Sequence, residues 1–215
     1  IEDVAVRIPL TAGWNMIGNP FPFAVNWFDA QVQVGAETIS LNEAISRDLI
    51  KNALWTYSNG EYRLAFQLMP WEGYWVKATQ DLTVLIPNVA ARSAQIDPYR
   101  IRRATEDGWT LQLVASAGNF RDASNYLGVA TQAREEYDPG HDVLEAPPTG
   151  MADWVQLTFP HRSGWGHNSG DYAVDIRSRV AKERVWEFEV STSLADRDVT
   201  LTWPRRSTAQ GLHRH

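Results

Sequence analysis

The chain has 215 residues, a formal net charge of −6 and a charged fraction of 21%. Its length suits one large all-β domain or two domains of about a hundred residues each. A mildly acidic surface of mixed charge disfavours nucleic-acid binding, which requires clustered Lys and Arg. Cysteine is absent, which excludes disulfides and thiolate metal sites.

Three further features of the sequence bear on the setting of the chain. No apolar run approaches the roughly 18 residues that a membrane helix needs, so we predict no membrane insertion. The chain begins with Ile1 rather than Met, and we therefore expect it to be a piece of a longer, exported polypeptide. The aromatic fraction of 11%, with ten Trp, is high for an ordinary domain.

The chain opens with predicted β-strands. Residues 4–10 alternate between apolar and polar side chains, and a short turn leads to a second strand over residues 14–18. Pro20 and Pro22 end this strand, because proline cannot donate to a β-ladder. A further strand is predicted over residues 31–39.

One α-helix is predicted, over residues 40–51. Ser40 has the residue type and position of an N-cap, and Glu43 stands at the matching position of a capping box. Helical spacing is kept by Leu41, Ala44, Ile45 and Leu49.

The strongest local signal is a β-hairpin centred on Asn59 and Gly60. A two-residue type I′ turn needs positive φ at both positions, which Asn and Gly tolerate best. Counting outward from the turn pairs Ser58 with Glu61, Tyr57 with Tyr62, Thr56 with Arg63 and Trp55 with Leu64. The core side of the hairpin is then predicted to carry Trp55, Tyr57, Tyr62, Leu64 and Phe66.

Two more strands are predicted within residues 74–86, and residues 87–98 carry little periodicity. We therefore predict a boundary there, between an N-terminal half over residues 1–95 and a C-terminal half over residues 99–204. The polar residues 205–215 form a predicted flexible tail.

The C-terminal half is predicted to contain a long irregular region over residues 116–150, with one short strand near 126–130. Further strands are predicted over residues 153–159, 172–177, 185–190 and 199–203. Many short strands with frequent turn signals and one helix indicate an all-β fold, a jelly-roll-like β-sandwich of two packed halves with one short helix.

Two motifs resemble a known kind of module. GWNMIGNPFP (residues 13–22), followed by Trp27, is similar to the "GWNLIGNP(F/Y)P…W" segment of large secreted and cell-surface proteins of the Bacteroidetes and Fibrobacteres type. MPWEGYWVKA (residues 69–78) is similar to the "PWxGFWVKA" strand that follows it there. The resemblance covers nearly residues 6–203.

The resemblance implies a biological setting more than an activity. Such β-sandwich modules lie near the C-terminus of exported proteins, ahead of a type IX secretion sorting signal and often behind glycoside hydrolases, peptidases or adhesive repeats. It implies a secreted or cell-surface location and other domains of the same polypeptide as partners. It assigns no binding residues.

The tryptophans suggest a carbohydrate-binding function, because an indole face stacks on the C–H face of a pyranose while polar neighbours bind its hydroxyls. Trp55 and Trp186 are predicted core residues from their apolar alternation. Trp154 differs: the apolar residues Val155, Leu157 and Phe159 alternate as a buried set. This leaves Trp154 and Gln156 on the opposite face, as a sugar platform requires.

Two more tryptophans are candidate stacking residues. Trp165 lies in a glycine-rich loop, where a large aromatic side chain is either a binding tip or a lid over a core edge. Trp71 lies at a turn, where packing between domains is the alternative to ligand contact, as it is for Trp75.

A calcium site is a further hypothesis. Asp138, Asp142 and Glu145 lie in one loop and could supply hard oxygen ligands, with Asp122 and Asn125 as distant helpers. The spacing matches no EF-hand. His141, His161 and His167 could ligate a metal, but scattered His more often lie on a solvated surface.

The sequence carries no catalytic motif of the serine-hydrolase, zinc-protease, P-loop or dinucleotide-binding kind, so no enzyme activity is predicted. The predicted function is non-catalytic polysaccharide binding in an exported multidomain bacterial protein, with no cofactor required. One alternative is a structural spacer or adhesion module, in which every Trp is buried. Another is a glycan-active enzyme that uses two carboxylates.

Overall fold

The computed structural model describes residues 5–92, 108–151, 153–180 and 183–203. About 51% of the structure is strand and 7% is helix. The predicted all-β, sandwich-like fold with one short α-helix is confirmed. The predicted tail and half of the predicted boundary segment, residues 93–98, lie outside the described residues, and the division into two domains stays a prediction.

The described residues 5–92, here called the first half, form two four-stranded antiparallel sheets and one two-stranded sheet. The elements are β1 (Val6–Leu10), β2 (Gly13–Gly18), β3 (Val25–Asn26), a 3₁₀ helix (Trp27–Asp29), β4 (Gln31–Val34), β5 (Glu37–Ser40), α1 (Leu41–Ser46), β6 (Ile50–Ser58), β7 (Glu61–Leu64), β8 (Gln67–Leu68), β9 (Gly73–Ala78) and β10 (Leu82–Ile86). The strand orders are β1-β10-β4-β5 and β2-β9-β6-β7, and β3 pairs with β8.

The described residues from 108 to 203, here called the second half, form one larger mixed sheet. The elements are β11 (Trp109–Ala117), β12 (Phe120–Ala130), β13 (Val143–Leu144), β14 (Val155–His161), a 3₁₀ helix (Gly166–Asn168), β15 (Gly170–Ser178), β16 (Glu189–Thr192) and β17 (Thr200–Thr202). The strand order is β16-β14-β15-β12-β11-β17, and β13 also pairs with β15. Strands β12 and β15 run parallel, while the other pairs are antiparallel.

The β6–β7 hairpin has the predicted register. Asn59 and Gly60 have φ values of 53° and 83°, the positive values that a type I′ turn needs. The four predicted cross-strand pairs, from Ser58 with Glu61 to Trp55 with Leu64, are all present. Two residues at the turn therefore determine which side chains of β6 and β7 share a face.

The sheet β2-β9-β6-β7 is buried on both faces. Leu54, Tyr74 and Val76 face the core of the first half. Trp55 faces the opposite way and is 1% exposed. It belongs to a second cluster, here called the interface cluster, which joins both halves. The buried residues of this cluster are Ala53, Trp55, Ala130, Ala133, Val143, Ala146, Ala173, Val174 and Ile176.

Of the predicted core side of the hairpin, Trp55 is buried and Tyr62 and Leu64 are half-buried, and all three pack against the second half. Trp14, Trp75, Tyr62 and Leu64 pack around the interface cluster from the first half. For Trp75, this is packing between the two halves rather than ligand contact. The indole Nε1 of Trp55 donates a hydrogen bond to the carbonyl oxygen of Leu144 at 3.2 Å, which satisfies its polar group.

The α-helix begins as predicted but ends earlier. Ser40 Oγ accepts a hydrogen bond from the Glu43 amide at 3.2 Å, which is the expected N-cap. The helix ends at Ser46, and Asp48 adopts a left-handed conformation with φ 56°. A residue in this conformation ends a helix. The prediction of helix through residue 51 is therefore wrong, and β6 starts at Ile50.

The long region over residues 116–150 is less irregular than predicted. It contains β12, an eleven-residue strand that lies in the middle of the sheet, as well as β13. Polar residues hide this strand in the sequence, since Asp122 and Asn125 are both buried within it. Asp122 accepts a hydrogen bond from the Leu157 amide at 2.7 Å, and this contact between β12 and β14 is not visible in the sequence.

The last strands also differ from the prediction over residues 185–190. β16 begins only at Glu189, and it is an edge strand of the sheet. Because an edge strand is covered less completely, Phe188 is 42% exposed and Trp186 is only half-buried. Trp186 packs edge-on against Trp109, with ring centroids 5.6 Å apart.

Trp55→Ala should lower the free energy of unfolding by about 3–5 kcal/mol, because it removes a fully buried indole from the interface cluster. Urea denaturation measures this loss. The matched control is Trp71→Ala, whose side chain is 95% exposed and whose loss should cost less than about 0.5 kcal/mol. Equal losses in the two variants would contradict the packing described here.

Candidate functional site

A cleft of about 480 Å³ lies between the β6–β7 hairpin and the second half. This volume falls within the range of about 300–1,000 Å³ that is usual for small-molecule sites. We call it the hairpin cleft. Its aromatic and polar lining includes Tyr57, Tyr62, Asp122, Glu145, Trp154 and Gln156.

The structure brings two of the predicted carbohydrate-binding residues together in this cleft. Trp154 immediately precedes β14, and Gln156 is its second residue. Val155, between them, is buried, while both Trp154 and Gln156 are half-buried and line the cleft. The alternation read from the sequence thus places an indole and an amide side by side on one wall.

The backbone of Trp154 is held firmly. Its amide donates to Ser193 Oγ at 2.8 Å. Its carbonyl oxygen accepts from Thr192 Oγ1 at 2.7 Å and from the Ser193 amide at 3.2 Å. Three hydrogen bonds to the last residue of β16 and to the residue after it therefore fix the position from which the indole projects.

The facing wall comes from the hairpin. Tyr57 and Tyr62 line the cleft with their rings edge-on, 5.0 Å apart at 70°. Tyr62 also packs edge-on against Trp55 of the interface cluster at 6.2 Å. Each tyrosine combines an apolar ring with a hydroxyl, which suits contact with a ligand that has both C–H faces and hydroxyls.

Three carboxyl groups lie at the bottom and side of the cleft. Asp122 and Glu145 are buried, at 8% and 9% exposure, and Glu61 has a side chain that is 10% exposed. Glu145 Oε1 accepts from the Ala146 amide at 3.0 Å. The second oxygens of Glu61 and Glu145 are buried without a hydrogen-bond partner among the described residues. Unpaired buried oxygens of this kind are ready to bind donors such as hydroxyls.

Burial favours the neutral forms of the carboxyl pair. It raises the pKa of Asp122 to about 6, although the amides of Leu157 and Ser124 favour the ionised form. Burial also raises the pKa of Glu145 well above its usual value, and the negative charge of Asp122 adds to this effect. The two groups interact, so each disfavours the ionisation of the other.

Trp165 and Trp71, the other two predicted stacking residues, do not line the hairpin cleft. Trp165 stacks on His161 with ring centroids 3.5 Å apart and packs edge-on against Tyr172 at 4.8 Å, in the manner of the lid alternative. Trp71 projects from the turn before β9 and is 95% exposed, with a left-handed φ of 67°. A bulky residue rarely adopts this conformation, so its indole is held out by a strained backbone.

The predicted calcium ligands are separated. Asp138 and Asp142 share one turn, where their carboxylates accept hydrogen bonds from backbone amides, including those of Gly140 and Ile176. Glu145 instead lies in the hairpin cleft. Within the part of the chain that the structure describes, no group of three or more acidic, His or Cys side chains could hold a metal ion. Calcium binding stays a prediction from the sequence.

The three histidines named as metal candidates each face a different carboxylate. His141 Nδ1 lies 3.2 Å from Asp138, and His161 Nε2 lies 2.9 Å from Asp175. His167 Nε2 lies 3.2 Å from Asp48. These contacts fix each ring but do not bring the histidines together.

Sequence reasoning missed most of the cleft. The sequence predicts Tyr57 and Tyr62 as core residues and Asp122 and Glu145 as calcium ligands. The hairpin register could have placed Tyr57 near the turn, and hence near the rim of any interface. The approach of β12, β14 and the 145–151 segment to the hairpin depends on long-range packing that carries no local signal.

Comparison with known proteins adds no relative to this description. No family model matches the chain, and no curated protein or solved structure matches it either. Among the helices of the described residues, none is long and apolar enough to span a membrane.

The raised pKa of Asp122 predicts a pH dependence of stability. Between its ordinary value of 3.8 and about 6, the folded state binds more protons than the unfolded state, so the free energy of unfolding should fall as the pH rises. At roughly 1.4 kcal/mol per pKa unit, the loss should be on the order of 2–3 kcal/mol. Urea denaturation at a series of pH values from 4 to 7 measures it.

Asp122→Asn is the matched variant, because it keeps an acceptor oxygen for the Leu157 amide but cannot ionise. The difference in unfolding free energy between the variant and the natural protein should shift in favour of the variant as the pH rises. A difference that stays constant across this range would show that Asp122 ionises as freely in the folded chain as in the unfolded one.

Proposed function

We propose that this chain binds polysaccharide without catalysis, at the hairpin cleft. The observation that carries the proposal is the convergence of Trp154, Gln156, Tyr57 and Tyr62 on one cavity. Aromatic rings stack on sugar faces, and amide, hydroxyl and carboxyl groups bind sugar hydroxyls. The cleft supplies both kinds of group within one volume.

The buried carboxyls fit the same proposal. A sugar hydroxyl can donate to the second oxygen of Glu145, which has no hydrogen-bond partner among the described residues. A neutral carboxyl can also donate to a sugar oxygen, and the raised pKa of Glu145 favours that form. Glycan binding would thus satisfy polar atoms that the folded chain leaves unpaired.

The resemblance of the GWNMIGNPFP and MPWEGYWVKA motifs to modules of exported bacterial proteins supports the proposed setting. There the module belongs to a longer, secreted or cell-surface polypeptide, often behind glycoside hydrolases, peptidases or adhesive repeats. Trp71, exposed within the second motif, is then a separate contact residue outside the cleft.

Binding should depend on Trp154. Affinity electrophoresis and pull-down against cellulose, xylan, mannan and β-glucans should show retention on at least one glycan. Trp154→Ala should weaken that retention by about 2 kcal/mol, or roughly thirtyfold, since an aromatic anchor in a pocket carries much of a binding energy. Trp203→Ala is the control, because this Trp is 63% exposed but lies outside the cleft lining.

Retention on none of the glycans, or equal retention of the two variants, would overturn the proposal. Parallel measurements on Trp165→Ala and Trp71→Ala separate the cleft from the other two candidate residues. If only Trp71→Ala reduces binding, the exposed turn and not the cleft is the glycan site.

A glycan-active enzyme is the second candidate, and the carboxyl pair favours it. Asp122 and Glu145 interact and line the cleft, and a carboxyl with a raised pKa suits the general acid of a glycosidase, whose partner is an ionised carboxylate. The two functions differ in one result. An enzyme releases soluble sugars from a retained glycan and loses this activity in Glu145→Gln, whereas a binding module releases none.

The spacer alternative is less well supported. It predicts that every Trp is buried, whereas Trp71 and Trp203 are 95% and 63% exposed. The large interface cluster would nevertheless suit a rigid element that holds neighbouring domains apart. Absence of any glycan binding in the experiment above would favour this role.

A further inference from the structure

A second polar cluster crosses the contact between the two halves, away from the hairpin cleft. We call it the Lys51 cluster; it consists of Asp48, Lys51, Tyr137, His167 and Asn168. Lys51 lies near the start of β6 and is 6% exposed. A lysine this buried is rare and requires partners that compensate for the loss of water.

The amine of Lys51 lies between a carboxylate and a carboxamide. Its Nζ is 2.6 Å from Asp48 Oδ1 and 2.5 Å from Asn168 Oδ1. The carbonyl carbon of Asn168 is one bond beyond that oxygen. A buried amine therefore lies within hydrogen-bonding distance of both an acid–base group and a carboxamide, whose carbon is electrophilic.

The other end of the carboxamide also has a partner. Nδ2 of Asn168 lies 3.3 Å from His167 Nε2, which in turn lies 3.2 Å from Asp48 Oδ2. A continuous path thus runs from the lysine amine through Asp48 and His167 to the amide nitrogen. A proton can move along this path from one nitrogen to the other.

Burial makes the neutral form of the Lys51 amine more accessible than it is in water. Burial lowers the pKa of Lys51, an effect that its contact with Asp48 only partly offsets. The ring of Tyr137 covers the amine at 4.8 Å, and its hydroxyl donates to Asp48 Oδ1 at 3.2 Å. A neutral lysine amine is nucleophilic, whereas its ammonium form is not.

The backbone is held in place at both Asp48 and Asn168. Asp48 lies in the left-handed turn that ends α1, and its carbonyl oxygen accepts from Thr79 Oγ1 at 2.8 Å. The backbone amide of Asn168 donates to the backbone carbonyl of Trp165 at 3.0 Å, and the backbone carbonyl of Asn168 accepts from the Tyr172 hydroxyl at 2.5 Å. The reacting atoms are therefore positioned before any reaction begins.

We propose that Lys51 and Asn168 become joined by an intramolecular isopeptide bond that links the two halves covalently. Nζ of Lys51 attacks Cγ of Asn168, and Asp48 accepts a proton from Nζ as the new C–N bond forms. The Cγ–Nδ2 bond then breaks, while Nδ2 takes up one proton through His167 and leaves as ammonia. An amine and a primary amide thus become a secondary amide and ammonia, without any oxidant, reductant or cofactor.

The sequence makes this site selective. The chain has three lysines, Lys51, Lys77 and Lys182. The amine of Lys77 lies 5.8 Å from the ring centroid of Trp14. Among the hydrogen bonds of the described residues, none joins Lys77 to an asparagine. Lys51 is the described lysine whose amine touches both a carboxylate and a carboxamide.

Mass spectrometry of the folded 215-residue chain tests the proposal. The intact mass should be lower than the sequence mass by one ammonia, and the loss should persist after denaturation. Digestion should give a branched peptide that joins the segment around Lys51 to the segment around Asn168, with no tryptic cleavage at Lys51. Lys51→Arg and Asn168→Ala should each restore the full mass, and Asp48→Asn should slow or abolish the loss of ammonia.

Lys77→Arg is the matched control and should still lose one ammonia. Peptide mapping is essential, because Asn59 before Gly60 can also lose ammonia by closing onto its own backbone. A natural chain with the full sequence mass, or a loss that maps to Asn59, would overturn the proposal. Because the natural protein gives this result by itself, a variant that fails to fold does not affect the conclusion.

Discussion

The burial of the β2-β9-β6-β7 sheet on both faces is the constraint on which the rest of the molecule depends. Successive side chains of a strand point to opposite faces, so Leu54 enters the core of the first half while Trp55 enters the interface cluster. An indole buries about 150–250 Å², and that of Trp55 also donates a hydrogen bond to Leu144. One strand thus stabilises two cores, and a change in its register would disrupt both.

The hairpin cleft follows from this arrangement. Beyond Trp55 the hairpin extends past the interface cluster, so Tyr57 and Tyr62 reach its rim and face β14 and the loop before it. Carboxyl groups buried at such a rim lower the stability of the fold unless donors satisfy them. Asp122 has backbone donors, but Glu145 keeps one oxygen without a partner among the described residues. An unpaired buried oxygen lowers stability, and proteins retain such groups at functional sites, where a ligand can supply the missing donor.

The elements that could be predicted from the sequence are those determined by residues close together in the chain. Asn59 and Gly60 gave the hairpin register, and Ser40 gave the start of the helix, because both signals lie within a few residues. The end of that helix was missed, since it depends on Asp48 adopting a left-handed conformation that favours Gly or Asn. Of β12 only the end near 126–130 was predicted, because its first part carries the buried polar residues Asp122 and Asn125, and the partner of Asp122 is the distant Leu157 amide. In the candidate site, alternation along β14 predicted Trp154 and Gln156, whereas the opposite wall is brought there only by tertiary packing.

The two proposals concern the same strand and the same contact between halves. Lys51 lies near the start of β6 and Tyr57 near its end. A link from Lys51 to Asn168 spans 117 positions of the chain. If it restricts the unfolded state as a disulfide does, closing a loop of roughly 100 residues stabilises the fold by about 4–5 kcal/mol.

The same link would affect the hairpin cleft. The two walls of the cleft belong to different halves, so the distance between the walls depends on how rigidly the halves pack together. A covalent link at one end of β6 would hold Trp154 opposite Tyr57 before a ligand arrives, and a preorganised site loses less entropy on binding.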